Sequence, residues 1–378
     1  MEAEATYQER LDRMNKAIRC EPVDQVPVVF MGLAFAPRLM GMKMSQYVLD
    51  NEAAHQVKLD FMDEMPGFDA VMRADGVAGS YMAVSWLSHV NLPGRELPED
   101  ALWQLQEAEV MTQDDYEAIV AQGWPAWLKS YLPKVCDAQE VSEIMAWGVV
   151  NRARMVNDYR SKGYPVVCSA AAPSFVPFEP LCGGRSFQQF IFDLHRVPDR
   201  VEAAMQTVLD YVLAGIKAAP EPLEGGRGVW VGGWRTASAM LSPKLWNRFV
   251  WPYIVQICDA LIAKGITPVL HWDQDWTRDL VRLQELPAKK CLLNPDGMTD
   301  VRKFRSLLGN NMAMIGDVPA TLFAAATPDD IYTYVRELVR DIGATGLLLC
   351  PGCDAPINTK PENMAAFVAA SREYGKVA

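Results

Sequence analysis

Histidine is scarce in this chain, with four in 378 residues, so each imidazole beside other reactive groups is worth weighing. No uninterrupted apolar run approaches the roughly 20 residues that a bilayer-spanning helix needs. No GxGxxG or GxxxxGK[ST] pattern follows an apolar run, which leaves no nucleotide cradle of the usual kind. Basic charge is in deficit: 36 Lys+Arg stand against 47 Asp+Glu, for a formal net charge of -11. Nucleic acid and anionic membranes are poor partners for such a surface. The eight cysteines are scattered rather than grouped into a disulfide framework. Several sit inside apolar runs, among them Cys168, Cys258 and Cys291, as buried reduced thiols do. The charged, helical N-terminus (MEAEATYQERLDRMNK) contains no apolar leader segment, so a cytoplasmic protein is expected.

What is present is a regular alternation. Eight short apolar runs read as strands: Val26–Phe30, Phe68–Ala74, Pro165–Ala170, Gly228–Val231, Ile266–Asp273, Lys290–Asn294, Met312–Asp317 and Gly346–Cys350. Most are continuously hydrophobic, the pattern of parallel strands covered on both faces. Amphipathic stretches lie between them, including Asp199–Lys217, Ser242–Lys264 and Thr327–Ile342, the last opened by Thr-Pro-Asp-Asp. Eight strands alternating with helices predict a (β/α)8 TIM barrel in a single domain spanning 1–378, with an N-terminal helical extension. An open doubly wound sheet is the alternative. After the second strand, residues from about 76 to 164 read mainly as helices (Gln113–Gln122, Ala126–Leu132 and Ala138–Tyr159) and predict a helical insertion over the barrel mouth.

Active sites of such barrels lie at the C-terminal strand ends. Those ends carry Asp75, Trp234 with Arg235, His271 with Asp273, Asn294 and Asp296, Asp317, and Cys350 with Cys353. Residues i and i+2 of a strand share a face, so His271 and Asp273 project together. Imidazole, carboxylate and thiolate are zinc-type ligands, and Cys353 would complete a set if the fifth and eighth strand ends meet. Each residue also has a plainer reading. His271 can be a hydrogen-bonded core histidine, Asp273 a group that merely orients it, and Cys353 a small buried hydrophobe. Cys350 ends a buried strand and is the weaker thiol. The pair forms a CxxC, but it precedes a loop rather than a helix, unlike redox motifs. Asp317 serves as a turn cap or as an acid/base. Arg235 grips an anion or makes a surface pair. Trp272 and Trp276 line an apolar pocket or belong to the core.

Several segments in order resemble the uroporphyrinogen decarboxylase superfamily. Residues 19–27 (RCEPVDQVP) resemble its opening motif. Leu241-Ser-Pro followed by Trp251-Pro-Tyr253 resembles its conserved helix. Residues 264–271 (KGITPVLH) resemble the strand that ends in histidine. Met314 to Pro319 and residues 352–363 (GCDAPINTKPEN) resemble its closing segments. The resemblance runs from about residue 10 to the C-terminus and implies a (β/α)8 barrel.

Two chemistries occur in that superfamily. True decarboxylases hold a polyanionic tetrapyrrole through arginines near the N-terminus; the equivalent stretch here, Met31 to Arg38, has Arg38 as its one basic residue. The corrinoid-linked methyltransferase branch binds zinc through a His-x-Cys strand and a C-terminal Gly-Cys. His271 and Cys353 match those positions, and Asp273 stands where the thiol-methylating members have cysteine. The resemblance therefore implies a metal-dependent methyltransferase that moves a methyl group between a small O-, N- or S-methyl compound and a corrinoid (cobalamin) cofactor. Zinc or a similar divalent metal would sit on His271, Asp273 and Cys353. Asp273, Asp317 and Arg235 are the catalytic candidates, and Trp234, Trp272 and Tyr253 the cofactor-binding ones. A closed pocket is too small for a corrinoid, so a separate corrinoid-binding protein is the expected partner, and the acidic surface is compatible with docking to a basic patch on another protein; the sequence leaves an oligomer open. The alternative is a metal-free decarboxylase or lyase acting on a carboxylic acid, with Arg235 holding the carboxylate. A non-enzymatic tetrapyrrole or corrinoid carrier is a third class.

Overall fold

The structure, a computed structural model, describes residues 2–76 and 79–377. Residues 77–78, at the start of the expected insertion, lie outside the described residues. Eight parallel strands form one sheet, here numbered β1 Val29–Phe30, β2 Ala70–Arg73, β3 Val166–Cys168, β4 Gly228–Gly233, β5 Thr267–Trp272, β6 Leu292–Pro295, β7 Ala313–Val318 and β8 Leu347–Pro351. They neighbour one another in chain order. The sheet closes where Val28 bridges Leu349 in parallel and the Leu349 amide donates to Pro27 O at 2.8 Å. Closure removes both sheet edges and makes the predicted TIM barrel. All eight strands overlap the apolar runs read from the sequence, and β4, β6, β7 and β8 extend one or two residues past the ends of theirs.

Strand parity sorts the side chains. Val29, Met31, Ala70, Met72, Val269, Leu292, Ala313, Ile315, Leu348 and Cys350 fill the barrel interior as one cluster, with Trp230 packed against it. The N-terminal helix Glu2–Ile18 contributes Tyr7, Leu11, Met14 and Ala17 to the same cluster. Their spacing puts them on one helical stripe, and that stripe stoppers the barrel floor. The opposite end stays free for chemistry.

The pieces between the strands are more divided than the apolar pattern shows. The amphipathic stretch Ser242–Lys264 holds two helices, Pro243–Phe249 and Trp251–Ala263. Pro252 lies in the first turn of the second, and Val250 between them is non-helical at φ -121 and ψ -64. Proline supplies no N–H, so Pro252 cannot donate to the carbonyl of Arg248 four residues back, and the first helix cannot run on through it. The segment between β2 and β3 is mainly helical, as the sequence suggests, and holds a short ribbon as well. It carries helices Tyr81–Trp86, Asp114–Gln122 and Trp124–Tyr131, and an antiparallel ribbon of His89–Asn91 with Gln104–Gln106. Its last helix, Ala138–Ser161, is barrel wall rather than lid. That helix contacts the N-terminal helix through Arg160 and Glu4 and leads straight into β3. Among the described residues, no helix is long and apolar enough to cross a membrane.

Candidate metal centre at the barrel mouth

His271 is the inward-facing residue near the end of β5, buried at 9% exposure. Its Nδ1 lies 2.7 Å from Asn294 Oδ1, on the neighbouring β6. The Asn294 amide NH2 donates to Ile315 O at 2.7 Å and to Gly352 O at 3.3 Å. With both donor directions spent on carbonyls, Asn294 can only accept from the imidazole. His271 therefore carries its proton on Nδ1 and presents the bare Nε2 to the mouth. The ring is further fixed by Trp230 of β4, stacked at 4.4 Å between centroids and 12° between planes.

Around Nε2 gather the two other groups named from sequence. Asp273 Oδ1 lies 3.8 Å away, and Cys353 Sγ lies 3.9 Å away across 82 residues of chain. Ligand atoms of the three lie within 4.8 Å of one another. Donors around one zinc ion sit about 3.5 Å apart, so contraction by a few tenths of an ångström to about one ångström would close the set. Burial pushes the Cys353 thiol well up, and the Asp273 carboxylate beside it pushes the same way. A thiol so placed is protonated unless a cation replaces the proton. The donor set and its geometry thus fit a divalent metal.

The loop after β8 delivers Cys353. Gly352 lies against the backbone after β6: a Cβ there would sit 2.7 Å from the Asp296 carbonyl carbon. Only glycine permits that approach. Asp296 in turn accepts the Gln274 amide at 2.8 Å, pinning the turn that follows Asp273, and burial raises its carboxyl.

The other residues singled out from sequence are placed elsewhere. Cys350 is fully buried in the barrel interior, and burial pushes its thiol well up; it is absent from the cluster. Asp317 is buried and accepts the Tyr334 hydroxyl at 3.0 Å, facing the outer helix Pro328–Ile342. Burial raises its carboxyl to about 6. Trp272, one residue out of phase with His271, points to the outer layer and stacks on Trp276 at 4.0 Å. Tyr253 is buried on helix Trp251–Ala263 with Glu202 and Arg248 of the outer helices as charged neighbours. Trp234 lies against Trp86 of the inserted segment. Arg235 is buried with its guanidinium over the Trp234 ring at 4.3 Å and Glu107 at 3.8 Å. Asp75 is held by the Arg73 guanidinium. The structure brings none of these to His271. It adds residues with no role assigned from sequence: Asn294 and Trp230 around the imidazole, and Lys58, Arg73 and Asp354 beside them. Arg73 carried one visible signal, a basic residue inside the mostly apolar run Phe68–Ala74.

A closed parallel barrel with an imidazole, carboxylate and thiol at its C-terminal mouth defines a class of enzyme-bearing fold. Residues 137–374 match the uroporphyrinogen decarboxylase (URO-D) family. That is more than half of the chain, and the chain belongs to this family. Among curated proteins, a uroporphyrinogen decarboxylase from Flavobacterium johnsoniae is 27% identical over 137 residues, covering 36% of this chain and 39% of that protein. Another from Christiangramia forsetii is 23% identical over 296 residues, covering 75% and 82%. Among solved structures, a methyltransferase from Methanosarcina mazei superposes with a TM-score of 0.69 at 17% identity, covering 97% of this chain and 98% of that one. At that identity the likeness shows the shared fold.

Proposed function

We propose that the protein, acting as one barrel domain, is a metal-dependent methyltransferase that moves a methyl group between a small methylated compound and a corrinoid. One observation carries the reading: His271 Nε2, Asp273 and Cys353 converge within 4.8 Å, with Asn294 fixing the tautomer that ligation needs. A metal held there, zinc or a similar divalent ion, would act as a Lewis acid on the heteroatom that bears or receives the methyl group. The corrinoid, on a separate protein docked at the mouth, would supply the cobalt nucleophile.

The chain's own part is placement. Asn294 holds the imidazole in one tautomer, Trp230 holds its plane, and Gly352 lets Cys353 close the set. Asp273 makes the donor set harder than one with a second thiolate, which suits an oxygen leaving group better than a thiol acceptor. Elemental analysis of the purified protein should find about one zinc per chain, with His271→Ala losing both the metal and methyl transfer to cob(I)alamin. A metal-free wild type, or full transfer by His271→Ala, would sink the reading.

The names of the two curated relatives favour a second reading, metal-free decarboxylation with Asp273 as acid/base and Arg235 on a substrate carboxylate. Decarboxylation that survives exhaustive chelation and is lost in Arg235→Ala would establish it in place of methyl transfer.

A further inference from the structure

A second cleft opens at the other end of the barrel, on the floor beneath β1 and β2. Its volume is about 540 Å3. The N-terminal helix supplies Thr6, Glu9, Arg10 and Arg13 to it, a spacing that puts all four on one helical face. Arg372 of helix Pro361–Tyr374 and Lys376 just beyond it supply the remaining basic side chains. The C-terminal segment is tied in place by its main chain. The Val26 amide donates to Gly375 O at 2.8 Å, and the Val377 amide donates to Asp24 O at 3.0 Å.

Charge in this cleft runs against the chain as a whole. Its four basic side chains outnumber its carboxylates, Glu9, Asp24 and Asp69, whereas the full chain has 47 acids to 36 bases. Those carboxylates are already spent. Asp69 is buried; it accepts the Val28 amide at 2.8 Å and pairs with Arg13 at 3.2 Å and Arg372 at 3.1 Å. Both Asp24 oxygens accept from Arg13, at 3.0 and 2.9 Å, and Glu9 accepts from it at 2.7 Å. Arg13 and Arg372 therefore answer all three acids, and two cations are left over. Arg10 spends one N–H on Gly163 O at 2.9 Å and lies over the Tyr164 ring at 4.4 Å. Those contacts fix the guanidinium plane and leave its other N–H groups unused. The Lys376 ammonium and the Thr6 hydroxyl have no partner among the described residues.

The unused groups are thus donors, and two of them are cations. A carboxylate brings one charge and two oxygens. A phosphate dianion brings two charges and three strong acceptor oxygens, and a guanidinium fork fits it bidentately. The cleft is far larger than one phosphate, and Val377 is the one apolar side chain among its described walls. A polar body suits that space better than a nucleobase, which needs an aromatic or apolar face. We propose that Arg10 and Lys376 bind a phosphate dianion in this cleft, either free phosphate or the head of a small polar ester such as a sugar phosphate. The site lies at the opposite end of the barrel from the metal centre and does not depend on what reacts there. Its ligand would join the N-terminal helix to the C-terminal segment.

Calorimetric titration of the full-length protein at low ionic strength tests this with inorganic phosphate, glucose 6-phosphate, glucose and citrate. Phosphate or glucose 6-phosphate should bind with a dissociation constant below about 1 mM. Glucose and citrate should bind at least about tenfold more weakly, and the tighter of the two phosphates identifies the source. Lys376→Gln and Arg10→Gln should each weaken that binding about tenfold or more, as loss of a charge-assisted hydrogen bond does. The Lys376 side chain has no partner in the fold, so Lys376→Gln guards against a folding defect in Arg10→Gln, and melting curves check both. The bound phosphate compound should also raise the melting temperature of the wild type. No binding of either phosphate compound would overturn the proposal. So would glucose or citrate binding as tightly, or wild-type affinity in either variant.

Discussion

An amide fixes which nitrogen an imidazole can offer. Asn294 spends both N–H donors on Ile315 and Gly352 carbonyls, so its oxygen must take the His271 Nδ1 proton. Asn294→Ala removes that constraint and should weaken zinc affinity about 10–100-fold, the usual effect of losing such a partner. A competition titration against a chromophoric chelator reads it, and unchanged affinity would mean that Asn294 has no part in ligation. His271 and Asp273 were legible in the sequence because strand parity alone puts them together. Trp230 was not, because a tryptophan inside an apolar strand looks the same whether it faces the core or an imidazole. Asp317 was legible as a strand-end acid but not as a partner of Tyr334, since that contact depends on how an outer helix leans. Its carboxyl is raised from 3.8 to about 6 by burial. The native state therefore binds the extra proton, and this contribution to stability is present below about pH 4 and lost as the pH rises through 6. Asp317→Asn keeps the acceptor for Tyr334 and removes the buried charge. At pH 7 it should stabilise the fold by up to about 2–3 kcal/mol, at 1.36 kcal/mol per unit, and flatten the denaturation profile between pH 4 and 6. A destabilised variant at pH 7 would show that the ionised carboxylate is needed there.

At the scale of elements, the strands were readable and the pieces between them less so. Mostly continuous apolar runs located the strands because a strand buried on both faces offers few polar positions to confuse the pattern. Helix Pro243–Phe249 and the next form one amphipathic stretch in the sequence, and the break between them shows only in Pro252, which stands in the first turn of the second helix. The ribbon His89–Asn91 with Gln104–Gln106 leaves little trace in the sequence because its strands are three residues each and its outer residues are polar. The turn after β8 shows how one element serves the site. Gly352 packs on the chain after β6, so the loop can swing Cys353 inward. Gly352→Ala has no room for its Cβ and should cost about 1–3 kcal/mol, as overpacking does, and should weaken zinc binding by displacing Cys353. Cys350→Ala, in contrast, empties part of the barrel interior but leaves the metal stoichiometry intact. Unfolding curves and zinc analysis on the pair separate the two effects, and loss of zinc in Cys350→Ala would contradict the placement of that thiol.

The whole molecule ties the site to its own closure. His271 and Asp273 come from the end of β5, Cys353 from the loop after β8, and the barrel between them closes through β1 at Val28 and Leu349. The N-terminal helix seals the floor, so the packing below the site is complete without anything bound at the mouth. A metal that joins the two strand ends binds the native chain and not an unfolded one, whose ligands are far apart. It should raise the melting temperature by mass action, by about 2.7 kcal/mol of stability when free zinc is a hundredfold above its dissociation constant. The effect should fade as the pH falls, since Cys353 must give up a proton that burial and Asp273 hold tightly. His271→Ala should abolish the zinc-induced rise while leaving the metal-free melting temperature close to that of the chelated wild type. A zinc-induced rise of equal size in His271→Ala would place the metal elsewhere. A fall in the metal-free melting temperature as large as the zinc effect would make His271 a stabilising core residue first and a ligand second.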